Sequence, residues 1–232
     1  MATLNPTLVE ERRPLSGGGS GAPPRAGDGG DGGRPNFGDR LRRNRIGMVV
    51  ALAPIAMLFV AFTSAYIVRQ GLGEDWRAMA LPGILWINTV ILLASSITLE
   101  LARRGLARQA ALAGVPSVPG VAPVKASSAP WLPITLVLGL GFLAGQWMAW
   151  SQLARQGMFI SSNPSSSFFY LLTGAHAIHL AGGVLALLYA AATAVLSRAW
   201  ERRRMVVEVT SWYWHFMAVL WIYIFALLQF AQ

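Results

Sequence analysis

Residues 156–197 read QGMFISSNPSSSFFYLLTGAHAIHLAGGVLALLYAAATAVLS, 42 consecutive positions without Asp, Glu, Lys or Arg. Roughly 20 apolar residues suffice to span the hydrocarbon core of a bilayer, so this run exceeds one crossing. Its polar stretch from Ser161 to Ser167, with Asn163 and Pro164, reads as a turn and leaves one helix rather than two. Working outward, charge-free gaps also run from Ile46 to Val68, Ala78 to Leu99, Ala126 to Ala154 and Val209 to Gln232. Each is long enough to cross. The expected fold is an all-α polytopic membrane bundle with five transmembrane helices, spanning about 46–69, 82–102, 132–154, 168–197 and 209–230.

Composition agrees with that reading. The 232 residues are 54% hydrophobic and 12% charged, with a mean hydropathy of +0.48, whereas a soluble domain carries about 25% charged residues. A water-soluble enzyme domain is excluded. The chain has no Cys, which removes disulfides, iron–sulfur clusters, thiolate metal sites and cysteine nucleophiles together. The first 38 residues hold ten of the 24 Gly, concentrated between Gly17 and Gly33. Such a segment buries too little apolar surface to offset its ordering entropy and is expected to be a disordered tail, leaving 39–232 as the membrane domain. With no apolar run in the first 30 residues, no cleaved signal peptide is expected.

Five spans put the two termini on opposite sides, and the basic residues choose between them. With the amino terminus inside, 16 of the 19 Lys and Arg face the cytoplasm, and only Arg69, Arg77 and Arg155 lie outside. The positive-inside rule therefore places the amino terminus in the cytoplasm and the carboxyl terminus outside. The same distribution explains the pI near 11.2 through anionic headgroups. Nucleic acid is not implied.

Ion-coupled transport needs ionisable groups at depth. All ten carboxylates can be placed in the tail, in the outer loop (Glu74 and Asp75) or at the inner border (Glu100, Glu201 and Glu208). None lies near the bilayer centre. Glu100 and Glu208 are expected to pair with nearby arginines. Three His are the only nitrogen ligands available. His176 and His179, three apart, share a helix face and cannot approach one haem from opposite sides. His215 lies on the last span at a depth differing from theirs by roughly 10 to 15 Å, so a three-His metal site is not expected. The histidines should instead be neutral, hydrogen-bonded across helix contacts or to lipid. Gly139, Gly141, Gly145, Gly174, Gly182 and Gly183 mark close helix approaches, and Asn88, Ser95, Ser96 and Gln146 mark inward faces. Pro54 should bend the first span. The Trp residues, including Trp131, Trp147, Trp150, Trp212 and Trp214, are expected to anchor span ends at the membrane interface.

Four segments, in order, resemble subunit III of the haem-copper terminal oxidases. TSWYWHFMAVLWIYIFALL, Thr210 to Leu228, is similar to that family's YWHFVD helix and carries Tyr213, Trp214 and His215. Arg45, Gly47 and Met48 resemble its R-x-G-M opening, followed by FTSAYIVRQ from Phe62 to Gln70. TGAHAIHLAGG, Thr173 to Gly183, resembles TG-x-H-x-x-H, and SSITLELARR, Ser95 to Arg104, resembles the inner end of the second helix in five-helix members. The resemblance covers about residues 40 to 232.

What it implies is an accessory, non-redox subunit of a cytochrome c oxidase in a bacterial inner membrane. The resemblance further implies that this chain binds no haem, copper or other metal and has no catalytic residue. Haem and copper belong to partners: the large catalytic subunit I, beside subunit II and in some assemblies subunit IV, within a larger respiratory supercomplex where one forms. In that family the subunit steadies its large partner during oxygen reduction and proton pumping, and holds phospholipid in a V-shaped cleft between two helix groups. His176, His179, His215, Tyr213, Trp214, Glu100, Glu208 and Arg45 would then make helix and lipid contacts. Five spans with the amino terminus inside match the shortened form that lacks the first two helices. Two positions depart. Ile55 stands where the long form has an acidic residue in its first conserved helix, and Ala218 where YWHFVD has Asp. Both losses make direct proton handling less expected. A quinol oxidase or a nitric oxide reductase could use a similar subunit. A small transporter lined by Asn88, Ser95, Gln146 and the histidines is the alternative from another class.

Overall fold

The computed structural model describes residues 37–72, 76, 81–113, 130–196 and 200–230. The Gly/Pro-rich tail up to residue 36, most of the outer loop at 73–80 and the proline-rich loop at 114–129 lie outside the described residues. Five α-helices make up the rest: α1 (Phe37–Leu72), α2 (Ile84–Ala113), α3 (Trp131–Arg155), α4 (Pro164–Leu196) and α5 (Trp200–Phe230). All five are long and apolar enough to cross a membrane.

The helices run past most of the expected span limits, although α2 begins at Ile84 rather than about 82. α1 starts at Phe37 instead of about 46, and α5 at Trp200 instead of about 209, because the arginine-rich stretches outside the apolar zone remain helical. Arg, Leu and Glu are good helix formers, and lipid is not required to keep them wound. Pro54 lies inside continuous α1. At the start of α4 the expected polar turn is shorter than Ser161 to Ser167. Pro164 occupies the first helical position, where its missing N–H is no loss, and Asn163 Oδ1 accepts the Ser166 N–H at 2.9 Å as a cap. Gly157, at φ +75°, ends α3: the Met158 N–H reaches Leu153 O and the Gly157 N–H reaches Ala154 O. That pair of bonds needs a left-handed residue, which Gly supplies without steric cost.

Helices α2, α3, α4 and α5 close a ring of contacts, and α1 lies outside it against α4 and α5. In lipid no hydrophobic force drives helices together, so small residues and interhelical hydrogen bonds set the contacts. Trp214 on α5 shows how. Its side chain is fully buried, with its ring over Gly139 of α3 and Gly183 of α4, and its Nε1 donates to Ser95 Oγ of α2 at 3.0 Å. One indole thus touches all three other helices of the ring. The expectation that Trp214 anchors the interface is corrected here, because its N–H finds a partner inside the bundle. Trp150 also turns inward and donates to Thr173 Oγ1 at 3.1 Å, whereas Trp147 and Trp212 face outward. Of the expected glycine contacts, Gly145 is tightest: a Cβ there would sit 2.0 Å from Asn88 Oδ1. Gly141 and Gly182 meet side chains only at ordinary contact distance, and Gly174 faces open space.

Candidate functional site

The chemistry-bearing side chains gather at one end of the bundle, where α1 and α5 begin and α2 ends. Glu208 of α5, with a side chain only 6% exposed, accepts Arg45 Nη2 of α1 at 2.6 Å and Arg103 Nη1 of α2 at 3.3 Å. Arg103 in turn grips both oxygens of Glu100 at 2.7 Å with Nε and Nη2, and Arg104 Nε reaches the same carboxylate at 2.7 Å. A paired fork of this kind is geometrically specific. His215 completes the cluster. Its Nε2 lies 3.6 Å from Glu100 Oε2, and its Nδ1 shares a hydrogen bond with Ser96 Oγ.

Helical spacing explains why these groups meet. Ser96, Glu100, Arg103 and Arg104 fall three or four apart and share one face of α2. On α5, Glu208 and His215 are two turns apart and present to that face together. Three guanidinium groups face two carboxylates, so the node ties α1, α2 and α5 while keeping a net positive charge. The hub is Arg103, which the sequence offered only as one of several nearby arginines; its i, i+3 distance from Glu100 was the available signal.

The other two histidines lie deeper. His176 is fully buried against Phe142 and Trp221, with ring centroids at 5.9 and 5.1 Å. Trp221 is six residues beyond His215 on α5, so the two histidines differ in depth by about 9 Å, just below the expected range. His179 bonds Ala175 O of its own helix at 2.7 Å, and its expected bond across a helix contact is made instead by its backbone O, which accepts Tyr213 OH at 2.8 Å. Its ring lies edge-on to Phe59 of α1. Neither ring nitrogen of His176 has a hydrogen-bond partner, contrary to the expectation for it. Among the described residues no three His, Asp or Glu side chains gather to hold a metal ion. Ile55 and Ala218 pack with the apolar core.

The backbones of α1 and α2 do not approach each other closely, and both helices lean on α5. Tyr223 OH donates to Thr63 on the α1 side at 2.9 Å and Trp221 Nε1 to Thr89 on the α2 side at 3.0 Å. On the same α5 helix, Trp212, Val219 and Ile222 stay exposed. This α5 face, between its contacts with α1 and α2, runs down to the charged node. Arg45 and His215 are partly exposed there.

The family model described as cytochrome c oxidase subunit III matches residues 42–231. The chain is 31% identical over 198 residues to cytochrome c oxidase subunit 3 of Corynebacterium diphtheriae, covering 81% of this chain and 87% of that one. It is 35% identical over 102 residues to the probable cytochrome c oxidase subunit 3 of Mycobacterium leprae, covering 44% of this chain and 50% of that one. The cyanobacterial protein of Synechocystis, also a cytochrome c oxidase subunit 3, is 28% identical over 197 residues, covering 78% and 72%. The chain thus spans half the length of its mycobacterial relative and most of the corynebacterial one. With a match over nearly all of its five helices, the chain belongs to the cytochrome c oxidase subunit III family.

Proposed function

We propose that this chain is the accessory, non-redox subunit III of a haem-copper cytochrome c oxidase in a bacterial inner membrane. It packs beside the large subunit I, with subunit II and further oxidase subunits in the assembly, and those partners carry haem and copper. Oxygen reduction and proton pumping belong to the partners. One observation carries the reading: the carboxylates of the charged node are engaged by arginines, Glu100 by Arg103 and Arg104 of its own helix and Glu208 by Arg45 and Arg103 of two others, which leaves them holding helices together. The space between α1 and α2 suits phospholipid. The α5 face there exposes the apolar Trp212, Val219 and Ile222, and the net positive node at its end would receive a lipid phosphate.

The test is purification of the tagged chain from its native membrane in mild detergent, with mass identification of what accompanies it and a visible spectrum of the assembly. A much larger haem-bearing membrane subunit should co-purify. A second copper-bearing subunit would mark a cytochrome c oxidase, and its absence a quinol oxidase or a nitric oxide reductase. Recovery of the chain only as a free oligomer with transport activity would overturn the proposal.

A further inference from the structure

Polar side chains from three helices converge at one level inside the ring, away from the charged node. Asn88 of α2, Gln146 of α3 and His176 of α4 are each buried to within 1% of full exclusion. Two bracketing contacts fix their register. Trp150 bonds Thr173 across α3 and α4, and Phe142 meets the His176 ring at 5.9 Å. Residues 142, 146 and 150 share one face of α3, and 173 and 176 share one face of α4. Gln146 therefore lies between the two contacts, opposite His176. Trp221 of α5 covers the imidazole, and Asn88 donates to Phe142 O at 3.5 Å beside Gly145.

Both side-chain atoms of Gln146 and both ring nitrogens of His176 lack a hydrogen-bond partner. These four atoms comprise an amide donor, an amide acceptor, and one imidazole donor with one imidazole acceptor. Buried polar atoms in folded proteins are almost always satisfied, by protein or by ordered water. In a bilayer the pressure is stronger, since no bulk solvent is within reach. An internal water needs two to four polar partners and can donate and accept at once, which matches this set. We infer that Gln146 and His176 bind an ordered internal water that bridges the amide and the imidazole in the centre of the α2–α3–α4–α5 ring.

This water is structural. Glu208 is thirteen residues from Trp221 along α5 and Glu100 twelve from Asn88 along α2, about 20 and 18 Å by helical rise, so neither carboxylate of the node is within reach of it. The site joins α3 to α4 at the level where Asn88 joins α2 to α3. Gln146 and His176 belong to this chain alone, whichever enzyme it serves.

The test is a cryo-electron microscopy map of the intact native assembly at a resolution that shows ordered water, for the natural chain and for Gln146→Leu. In the natural chain a density peak is expected at about 2.7–3.2 Å from both the Gln146 amide and a His176 ring nitrogen. In Gln146→Leu that peak should vanish, and the thermal midpoint of the assembly should fall further than in the doubly apolar Gln146→Leu, His176→Phe chain, because the single change strands the imidazole. A direct Gln146–His176 hydrogen bond with no peak between them, or dry packing around both, would overturn the inference. If Gln146→Leu fails to assemble, the map of the natural chain decides by itself.

Discussion

Glu208 holds a nearly buried charge shared by guanidinium groups from two other helices. Its replacement by Gln should leave Arg45 and Arg103 without their anionic partner, with a loss of about 2 kcal/mol, the usual scale of charge-assisted bonds. Thermal unfolding of the detergent-solubilised assembly should report this as a lower midpoint, whereas Glu201→Gln, at an exposed position, should leave it unmoved. Trp214 gives a graded case. Ser95→Ala keeps the indole in place and removes the partner of its N–H, about 0.6 kcal/mol for an interhelical bond in lipid. Trp214→Ala should cost about 3–5 kcal/mol through the cavity it opens. Similar losses for the two would show that the indole N–H, not the packing, holds the ring together. The pairing of Glu100 with Arg103 and Arg104 was legible from helical spacing, whereas Glu208 takes its arginines from two other helices, which spacing along one chain does not mark. The burial of Trp214 was not legible either. With the span expected to begin near 209, Trp214 looked close to an interface, yet the helix starts at Trp200, which sets that indole near mid-helix.

At the scale of elements, two glycines of one helix should behave oppositely. Gly145→Ala would place a methyl 2.0 Å from Asn88 Oδ1, so Asn88 must turn away from Phe142 O or α2 must part from α3. The yield of assembled protein and its thermal midpoint should drop, and Asn88→Ala in the same chain should restore part of the loss. Gly141→Ala meets only Ile91 at 4.0 Å and should be neutral. Equal effects at 141 and 145 would contradict the packing described here. The sequence marked these glycines as a group because spacing shows which face they share, but not which of them a neighbouring side chain crosses. Helix existence was legible for all five elements, since long charge-free runs admit little else. Helix ends were less so, because wound arginine-rich turns outside the lipid carry no apolar signal and because the cap at Gly157 depends on a backbone conformation that a single Gly does not announce.

For the whole molecule, the basic residues define a sidedness. Arg40, Arg42, Arg43, Arg45, Arg103, Arg104 and Arg202 to Arg204 belong to the end that holds the node, and Arg69 and Arg155 to the opposite end. By the positive-inside rule we propose that the first end faces the cytoplasm. Because the chain has no Cys, one introduced at a time labels cleanly. Ser162→Cys, in the exposed α3–α4 connection, should react with an impermeant thiol reagent in intact cells, and a cysteine introduced before residue 37 should react only after lysis. The reverse pattern would invert the topology.

The central claim is that the chain works through packing while its partners hold the redox centres. It is tested most directly by releasing this chain from the purified assembly in detergent and recording its visible spectrum and metal content. The released chain should show no Soret band and less than stoichiometric iron and copper, with all the haem left in the depleted assembly. A Soret band, or one iron or copper per chain travelling with it, would contradict the claim.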